Sequence, residues 1–485
     1  MFTVLLALVV ILACYWLTAR VSRKLPGPRA YPLIGSTIWL KSKKGWLDWA
    51  LEPSVTKNPI SCVQIGPTKK LHIINDFNIA KELFSKDTFS HRSCIGLQLK
   101  HRFVEVDKPS GIILTNGEQW SNQRRFALKN LRDFGFGKQS LEGVMNYEID
   151  ELIDGYRSRS GDIQISTDFN IPIISILWQI VAGSRITLED SESVKMVDLV
   201  TKIFSTGFGV LMILPLRILQ LFPNITGYSD RANIMEEHKA YMLKIITEHE
   251  ASFQTGQHRD FIDVYLAQMM ADKTGKYTKG DLCSAMLDFF HAGTETSSTS
   301  LKWALLYLAL NQGDQELCRK EIKDKVGDTR PQVSHMPDLP YTMATITEIQ
   351  RLASVAPMSL EHETSSAYTH QDYTFQKGSL VQVNLSFIMK DPKYFENPLK
   401  FNPKRFLDQD GQFVKNERII PFGIGKRFCM GEVLARNEIF LFLVNLIQKL
   451  QFKTPVTHPP PDPENYLTNF TRIPDDFYIN ITPVV

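Results

Sequence analysis

A short glycine-rich loop with one cysteine, placed directly before a helical pattern, constrains this chain more than any other stretch. Residues 421–431 read PFGIGKRFCMG, with Cys429 near their end. Three glycines in the loop let the backbone turn sharply and pass close to a bulky or flat neighbour. Apolar residues then recur at helical spacing from Val433 to Leu446. A cysteine at the start of a helix is favoured as a thiolate, which is a nucleophile or a metal ligand.

The loop also has a fixed pattern, F-x-x-G-x-R-x-C-x-G, formed by Phe422, Gly425, Arg427, Cys429 and Gly431. A lone cysteine is usually a buried structural residue, but the complete pattern resembles the haem-binding loop of the cytochrome P450 family. The resemblance implies that Cys429 is the axial thiolate ligand of the iron of haem b. It also places Phe422 and Arg427 among the haem-binding residues.

Composition excludes several other classes of protein. The chain has 485 residues, a hydrophobic content of 43% and a net charge of only +3, so nucleic acid is not an expected partner. Its six cysteines are scattered and form no C-x-x-C pair, which argues against a disulfide framework or a zinc site and indicates a reducing compartment. The resemblance implies the cytochrome P450 fold, mainly α with a small β-sheet region (α+β), as a single catalytic domain over residues 36–485.

The amino-terminal stretch is predicted to anchor the protein in a membrane. Residues 2–17 are almost entirely apolar and are followed by Arg20, Arg23 and Lys24. Residues 1–19 are therefore interpreted as a transmembrane signal-anchor with the catalytic domain on the cytosolic side of the endoplasmic reticulum. A cleavable signal peptide is the competing interpretation. The basic, proline-rich residues 20–35 are predicted to form a stiff hinge.

The rest of the chain alternates between strand and helix patterns. A β-hairpin is predicted from residues 61–65 and 70–74, helices over 77–85, 117–131 and 278–311, and a series of helices over 140–260. Strands are predicted over 379–387 and in the DYTF segment before them, and short strands from residue 465 onward. Residues 208–222 form an apolar, proline-broken run that is too short to span a bilayer. The resemblance makes this run the roof of the substrate pocket and a place of contact with the membrane.

Trp120 and Arg124 are four residues apart in the predicted helix 117–131, so they share one face. A solvated basic face with a half-buried tryptophan is the ordinary interpretation of such a pattern. The resemblance instead implies that an indole N–H and a guanidinium group bind a haem propionate, since arginine can bind both oxygens of a carboxylate. By the same resemblance the propionates are bound by Arg92, Trp120, Arg124, His362 and Arg427.

The middle of the predicted helix 278–311 reads AGTET. Ala292 and Thr296 share a face with Phe289, where small residues admit a flat ligand. Gly293 costs a helix about 1 kcal/mol relative to alanine, and a local rule broken in this way often marks a functional site. A threonine at such a position more often bonds back to its own helix. The run resembles the oxygen-activation motif of the family, which implies that Ala292 adjoins the haem and that Glu295 and Thr296 deliver protons.

Glu348 and Arg351 form an E-x-x-R pair, which by itself is a common surface ion pair of small energetic value. In the family such a pair joins an arginine from a later P-x-R-F segment, which is Arg405 in this chain. The resemblance implies a buried structural network of these three residues that holds the haem loop in place.

The resemblance covers nearly the whole chain and is greatest to the animal microsomal family-2 clan. It implies a monooxygenase that inserts one atom of O2 into an apolar small molecule, such as a xenobiotic, a steroid or a fatty-acid-like compound. NADPH–cytochrome P450 reductase supplies the electrons, with cytochrome b5 as a further candidate donor. Five basic residues could form a surface that docks these electron donors: Arg125, Lys129, Arg132, Lys138 and Lys426. The alternative is that they form an ordinary solvated face.

Two other functions stay open. One is a haem-thiolate isomerase or peroxide-rearranging enzyme that needs no reductase. The retained acid–threonine pair, Glu295–Thr296, disfavours it. The other is a haem-binding or gas-sensing protein without catalytic activity.

Overall fold

The computed structural model of the chain describes residues 10, 26–31, 35–36, 44, 48–65, 69–93, 101, 103–105, 108–135, 141–159, 161–205 and 216–484. Helices dominate these residues and the strands are short, as predicted for a mainly α fold with a small β-sheet region. The α-helices are α1 Pro53–Thr56, α2 Phe77–Phe84, α3 Gly117–Asp133, α4 Glu142–Arg157, α5 Asn170–Ala182, α6 Ser191–Ser205, α7 Leu216–Leu221, α8 Tyr228–Ser252, α9 Phe261–Ala271, α10 Lys279–Leu310, α11 Gln312–Lys325, α12 Pro340–Ala353, α13 Leu385–Lys390 and α14 Glu432–Lys449. The strands are β1 Ala30–Tyr31, β2 Gly35–Ser36, β3 Ile60–Ile65, β4 Lys69–Ile74, β5 His91–Arg92, β6 Asp162–Ile165, β7 His362–Glu363, β8 Tyr368–His370, β9 Tyr373–Phe375, β10 Leu380–Val383, β11 Leu450–Lys453, β12 Tyr466–Thr468, β13 Arg472–Pro474 and β14 Phe477–Pro483.

The larger sheet brings distant segments of the chain together. Its strand order is β1-β2-β3-β4-β10-β7-β5, with the predicted β3–β4 hairpin near its centre. Strand β10 is parallel to β4, whereas β5 and β7 form an antiparallel pair. In that pair Arg92 lies opposite His362, so two predicted haem-binding residues from opposite ends of the sequence are neighbours.

The structure differs from the predicted secondary structure in two places. Strand β6, Asp162–Ile165, lies in a region predicted to be helical, and it pairs with the carboxy-terminal strand β14. The predicted strand over 379–387 ends at Val383. Helix α13 begins there because the Asn384 side chain accepts a hydrogen bond from Phe387 N, at 3.2 Å, and caps the helix.

Helix α10 runs through the centre of the molecule. It begins as predicted, because Thr278 Oγ1 accepts a hydrogen bond from Asp281 N at 3.0 Å. Trp303, Leu301 and Leu305 on this helix are fully buried in the main hydrophobic core. The apolar burial of both its halves fixes the position of the central AGTET turn.

The structure gives Gly293 a packing role that the sequence interpretation missed. A Cβ atom at this position would lie 2.4 Å from Leu177 Cδ2 on α5. An alanine here would force the Leu177 side chain to move, so the close approach of α10 and α5 gives a reason for a residue of poor helix propensity at this position. The broken helix rule at Gly293, which the sequence suggested as the mark of a functional site, thus has a packing explanation as well.

The predicted anchor lies outside the described residues except for Val10, and so do residues 20–25 and 32–34 of the predicted hinge. Over the part of the chain that the structure covers, no helix combines the length and the apolar character needed to cross a bilayer. Of the apolar run 208–222, residues 216–222 are described, and Leu221 and Phe222 are exposed there.

Candidate functional site: the cysteine loop and its arginines

The cysteine loop is a closed turn that packs on helix α2. Cys429 N donates a hydrogen bond to Phe422 O at 2.9 Å, and Gly431 is the N-cap residue of α14. Gly425 has φ +79°, and a Cβ atom there would lie 2.1 Å from Phe84 O. Only glycine fits at this position, since both the backbone conformation and the contact exclude a side chain.

Cys429 is an exposed residue of the loop, and its thiol is subject to several opposing electrostatic influences. Burial raises the pKa of the thiol, and the Gly431 N–H and the charge of Arg124 oppose this shift. The N–H at the helix start thus acts in the predicted direction, but burial of the thiol has a larger, opposite effect on its pKa. Coordination to a metal ion deprotonates a thiol outright.

Arg427 ties the loop to two other segments. Its Nε donates to Ser90 O at 2.7 Å, and its Nη2 donates to Thr115 O at 2.5 Å. The guanidinium group lies over the ring of Trp120, 3.9 Å from the ring centroid. These contacts place the loop, the residue before β5 and the start of α3 around one point.

Three arginines meet at this point, and we call Arg92, Arg124 and Arg427 the arginine cluster. Arg124 Nη2 donates to Phe428 O at 2.8 Å, and Arg92 Nη1 donates to Leu360 O at 3.1 Å. Burial, followed by the other arginines, lowers the pKa of Arg427 to about 8 and that of Arg92 to about 10. Within the described ranges none of the three forms an ion pair with a carboxylate. Such a concentration of positive charge suits an anionic ligand.

Two buried donors at the cluster point to the same ligand. The Nε1 of Trp120 and the Nε of Arg92 have no hydrogen-bond partner among the described residues. A buried donor without a partner costs free energy unless a ligand satisfies it. The arginine cluster and Trp120 therefore fit the carboxylate groups of haem, which the sequence pattern implies.

His362 lies opposite Arg92 in the sheet, is neutral, and already uses one of its ring nitrogens in a contact with the main chain. Its Nδ1 lies 2.5 Å from Phe89 O, and its ring is 4.6 Å from that of Phe84. Burial, followed by the charge of Arg92, holds the pKa of His362 well below its usual value. Since Nδ1 contacts the main chain, only Nε2 is available to a ligand.

On helix α10 the structure brings Ala292 and Thr296 to one accessible face. Ala292 is exposed in the middle of an otherwise buried helix, and Thr296 is half-buried. Thr296 Oγ1 donates to Ala292 O at 2.8 Å, which is the bond back to the helix that is common for threonine. This face is open to a ligand, as predicted for Ala292.

The side chain of Glu295 is buried and contacts Thr299 instead of Thr296. It is 3% exposed, and its Oε1 accepts a hydrogen bond from Thr299 Oγ1 at 3.0 Å. Burial raises the pKa of this carboxyl group, and the hydroxyls of Thr299 and Thr201 and the charge of Lys302 oppose this shift. Glu295 and Thr296 are therefore neighbours in sequence without a hydrogen bond between their side chains.

The network of Glu348, Arg351 and Arg405 is present and buried. Arg351 makes two hydrogen bonds to Glu348, at 2.7 and 2.9 Å, and Arg405 Nε reaches the same carboxylate at 3.2 Å. Glu348 and Arg351 are completely buried. The remaining bonds of the network go to main-chain atoms of residues 389, 396, 400 and 402. The network thus fixes the segment that leads to the cysteine loop, and none of its bonds described here reaches the loop itself.

Sequence reasoning missed two buried acids on the long helices. Asp288 Oδ2 accepts hydrogen bonds from Ile112 N and Ile113 N, at 2.7 and 2.9 Å, and so joins α10 to the segment before α3. Glu438 on α14 accepts a hydrogen bond from Ser297 Oγ at 2.8 Å, and burial raises its pKa to about 8. Their signal in the sequence is an acid within an apolar helical run.

Comparison with known proteins agrees with this geometry. The family model for cytochrome P450 matches residues 25–481. The chain is 33% identical to cytochrome P450 2J3 of Rattus norvegicus over 89% of this chain and 86% of the relative. It is 32% identical to cytochrome P450 2A5 of Mus musculus, over 97% and 95% of the two chains. Identity to cytochrome P450 2H2 of Gallus gallus is also 32%, over 98% and 96%.

Proposed function

Because this chain belongs to the cytochrome P450 family and is a monooxygenase of that family, we propose that it inserts one atom of O2 into an apolar small molecule with electrons from NADPH. The substrate class is a xenobiotic, a steroid or a fatty-acid-like compound, and the electrons come from NADPH–cytochrome P450 reductase. Family membership implies a haem whose iron is held by a thiolate, and we infer that this group is haem b with Cys429 as the ligand. When bound, haem supplies the activation of O2.

The arginine cluster is the observation that carries this proposal. Three half-buried cations without an ion-paired acid among the described residues, together with the unpartnered N–H of Trp120, lie around the loop that carries Cys429. We assign Arg92, Trp120, Arg124 and Arg427, with Nε2 of His362, to the propionates of the cofactor. Phe422 belongs to the wall of the loop, where its main-chain oxygen accepts the hydrogen bond of Cys429 N.

We assign Thr296 and Glu295 on α10 to the delivery of protons. The hydroxyl of Thr296 can release Ala292 O and donate to an oxygen ligand, since it lies on the accessible face of α10. Glu295 is a buried acid whose pKa is raised by burial, which favours its protonated form as a proton donor. A rotation of its side chain, with water, would connect it to Thr296.

Replacement of Cys429 tests the central assignment. Cys429→Ala in the full chain should abolish the carbon-monoxide Soret band of the reduced protein that is characteristic of thiolate-ligated haem. Cys62→Ala is the matched control, because Cys62 lies on β3, remote in sequence from the loop. If the variant at position 429 keeps the band, the proposed ligand is wrong. Substrate oxidation that proceeds without reductase and NADPH would instead favour a peroxide-rearranging enzyme or an isomerase.

We also propose that the protein is held at the membrane of the endoplasmic reticulum by residues 1–19, with residues 20–35 as the hinge. A second contact is supported by the apolar surface around α7, where Leu221, Phe222 and Ile225 are 72%, 54% and 86% exposed. Deletion of residues 1–24 should therefore leave a haem protein that still binds vesicles weakly. Leu221→Ser in the shortened protein should weaken that residual binding further.

Glycosylation gives a test of the side of the membrane. Four N-x-[ST] sequences occur, at Asn224, Asn384, Asn469 and Asn480. Asn384 and Asn469 are buried, Asn480 is half-buried, and only Asn224 is exposed. A cytosolic domain leaves Asn224 bare. The same chain with a cleavable secretory signal in place of residues 1–24 is the positive control and should acquire a glycan there. A glycan on the natural chain would contradict the cytosolic placement.

A further inference from the structure

A small cavity between the strand pair β12–β13, helix α13 and the segment 48–51 has no part in the function proposed above. Its volume is about 10 Å³, which is room for one water molecule or one monatomic ion and too little for sulfate or phosphate. Arg472 and Thr468 on the two strands, Ser386 and Asn384 at α13, and Asp48 contribute polar residues to its lining. The polar atoms of these residues therefore decide what the cavity can bind.

Two of these side chains carry buried polar atoms without a partner. Arg472 and Thr468 lie directly opposite each other in the β12–β13 pair, so their side chains share one face of it. They are 6% and 4% exposed, and Arg472 Nε and Thr468 Oγ1 have no hydrogen-bond partner among the described residues. A buried polar atom that the protein leaves unsatisfied marks a place for a bound water molecule or ion.

Ser386 supplies a third donor to the same cavity. It is completely buried, and its Oγ accepts a hydrogen bond from Lys390 Nζ at 3.2 Å. None of the hydrogen bonds of the described residues uses the hydroxyl hydrogen of Ser386, which is therefore available for donation. The amide of Asn384, by contrast, is already engaged, since its Nδ2 donates to Ala50 O and Asn75 Oδ1 at 2.8 and 3.0 Å.

The surroundings of the cavity are positively charged. Within the described part of the chain Arg472 forms no ion pair with a carboxylate. Burial, followed by the charges of Arg472 and Arg351, holds the pKa of Lys390 well below its ordinary value, although Glu464 and Glu348 act in the opposite direction. The region thus disfavours a further cation, and the guanidinium group of Arg472 supplies a positive charge beside the cavity.

We propose that the cavity binds one chloride ion, which accepts hydrogen bonds from Arg472 Nε, Thr468 Oγ1 and Ser386 Oγ. Chloride accepts from several donors and needs no acceptor, whereas a water molecule would also have to donate. The charge of Arg472 makes burial of the anion favourable. Asp48 is half-buried at the same cavity, and its negative charge weakens the binding.

The ion would join three segments that are remote in sequence. Arg472 already ties β13 to the carboxyl end of α12, because its main-chain N donates to Val355 O at 2.8 Å and its Nη1 donates to Leu352 O at 2.9 Å. Chloride extends this connection to α13 through Ser386. Its expected effect is therefore a gain in the stability of the folded chain.

Thermal unfolding of the full chain, with chloride replacing gluconate at constant ionic strength, tests the proposal. Chloride should raise Tm in a saturable way, because a ligand that binds only the folded state stabilises it. Thr468→Val removes one donor and keeps the shape, so it should raise the chloride concentration for half-maximal stabilisation by about tenfold, as expected for a hydrogen bond to a charged group. Asp48→Asn should lower that concentration by about threefold, because it removes an opposing charge.

Thr471→Val is the matched control. Thr471 Oγ1 is also buried and without a partner among the described residues, but Thr471 does not line the cavity, so the concentration should stay at the parent value. Crystals grown with bromide should show its anomalous signal between Arg472 and Thr468. The absence of a saturable effect in the parent, equal concentrations for the parent and Thr468→Val, or a water molecule alone in the bromide crystals would each overturn the proposal. These measurements do not depend on the proposed haem site.

Discussion

At the scale of single residues, the site consists of polar atoms that the protein positions but does not satisfy. Trp120 presents a buried N–H without a partner among the described residues. The hydroxyl of Thr296 donates a hydrogen bond to Ala292 O on its own helix. Each atom leads to a different expectation, because the first is free to bind a ligand at once and the second must break a bond before it can do so.

Trp120→Phe should release haem about tenfold faster, because a hydrogen bond to a charged carboxylate is lost and no bond within the protein is lost with it. Haem transfer to an acceptor protein measures the rate. Trp303→Phe is the control: its N–H donates to Arg472 O at 2.9 Å, so this variant should lose thermal stability at an unchanged rate of haem release. Equal rates for the parent and the Trp120 variant would remove the indole from the haem site.

Thr296→Ala should keep haem and substrate binding but lower the yield of product per NADPH by about tenfold or more, with the electrons diverted to peroxide or water, because a group that delivers protons is lost. Product, peroxide and NADPH are measured together. Ser300→Ala is a matched control, since Ser300 Oγ likewise donates to the main-chain oxygen four residues earlier, Thr296 O at 2.8 Å. A yield that stays at the parent value in Thr296→Ala would exclude the proposed role.

At the scale of secondary structure elements, the close approach of α10 and α5 sets the position of the AGTET turn. Gly293 faces Leu177 at this crossing, and a methyl group would lie too close to it. The helix therefore keeps a residue with poor helix propensity, because packing opposes any larger side chain.

Gly293→Ala should lower the free energy of unfolding by about 1 kcal/mol, since over-packing costs more than the roughly 1 kcal/mol that alanine gains in a helix. In a Leu177→Ala background the same change should become stabilising by about 1 kcal/mol, because the obstructing side chain has been removed. Denaturant titrations of the four proteins measure this reversal of sign. Stabilisation by Gly293→Ala in the parent would contradict the packing role.

At the scale of the whole molecule, a basic stripe lies next to the cysteine loop. Arg125, Lys129 and Arg132 are exposed on α3, and no described residue forms an ion pair with them. The loop beside them exposes Phe428, and the first turn of α14 exposes Val433, at 45% and 54%. Of the other two basic residues predicted for docking, Lys426 is paired with Asp87 at 2.5 Å, and Lys138 lies outside the described residues. The stripe on α3 is therefore the better candidate for an acidic electron donor.

Lys129→Glu and Arg132→Glu should each raise the reductase concentration needed for half-maximal turnover by about threefold at low ionic strength. The difference from the parent should vanish at high salt, because exposed charges are then screened. Initial rates of NADPH-dependent turnover against reductase concentration measure the effect. Lys323→Glu is the control, since Lys323 is exposed on α11, which packs against the carboxyl end of α14 through Arg319 and Ile447 O. Identical titration curves for all variants would place docking elsewhere.

Much of the fold and of the site follows from local patterns. The glycine loop with Cys429, the β3–β4 hairpin, the cap at Thr278 and the E-x-x-R pair each depend on residues close in sequence, so a local pattern was enough to predict them. The short strand β6 could not be predicted in this way, because its partner β14 lies about three hundred residues further along the chain.

The sequence by itself determined which residues are proposed to bind haem and their order, because those residues sit in short motifs with fixed spacing. The tertiary structure alone decided how their charges combine. It brought Arg92 opposite His362, turned Glu295 away from Thr296 and raised the pKa of Cys429. The physical reason is that burial and the electrostatic influence of neighbours depend on distances between segments remote in sequence, and only the packed chain sets those distances.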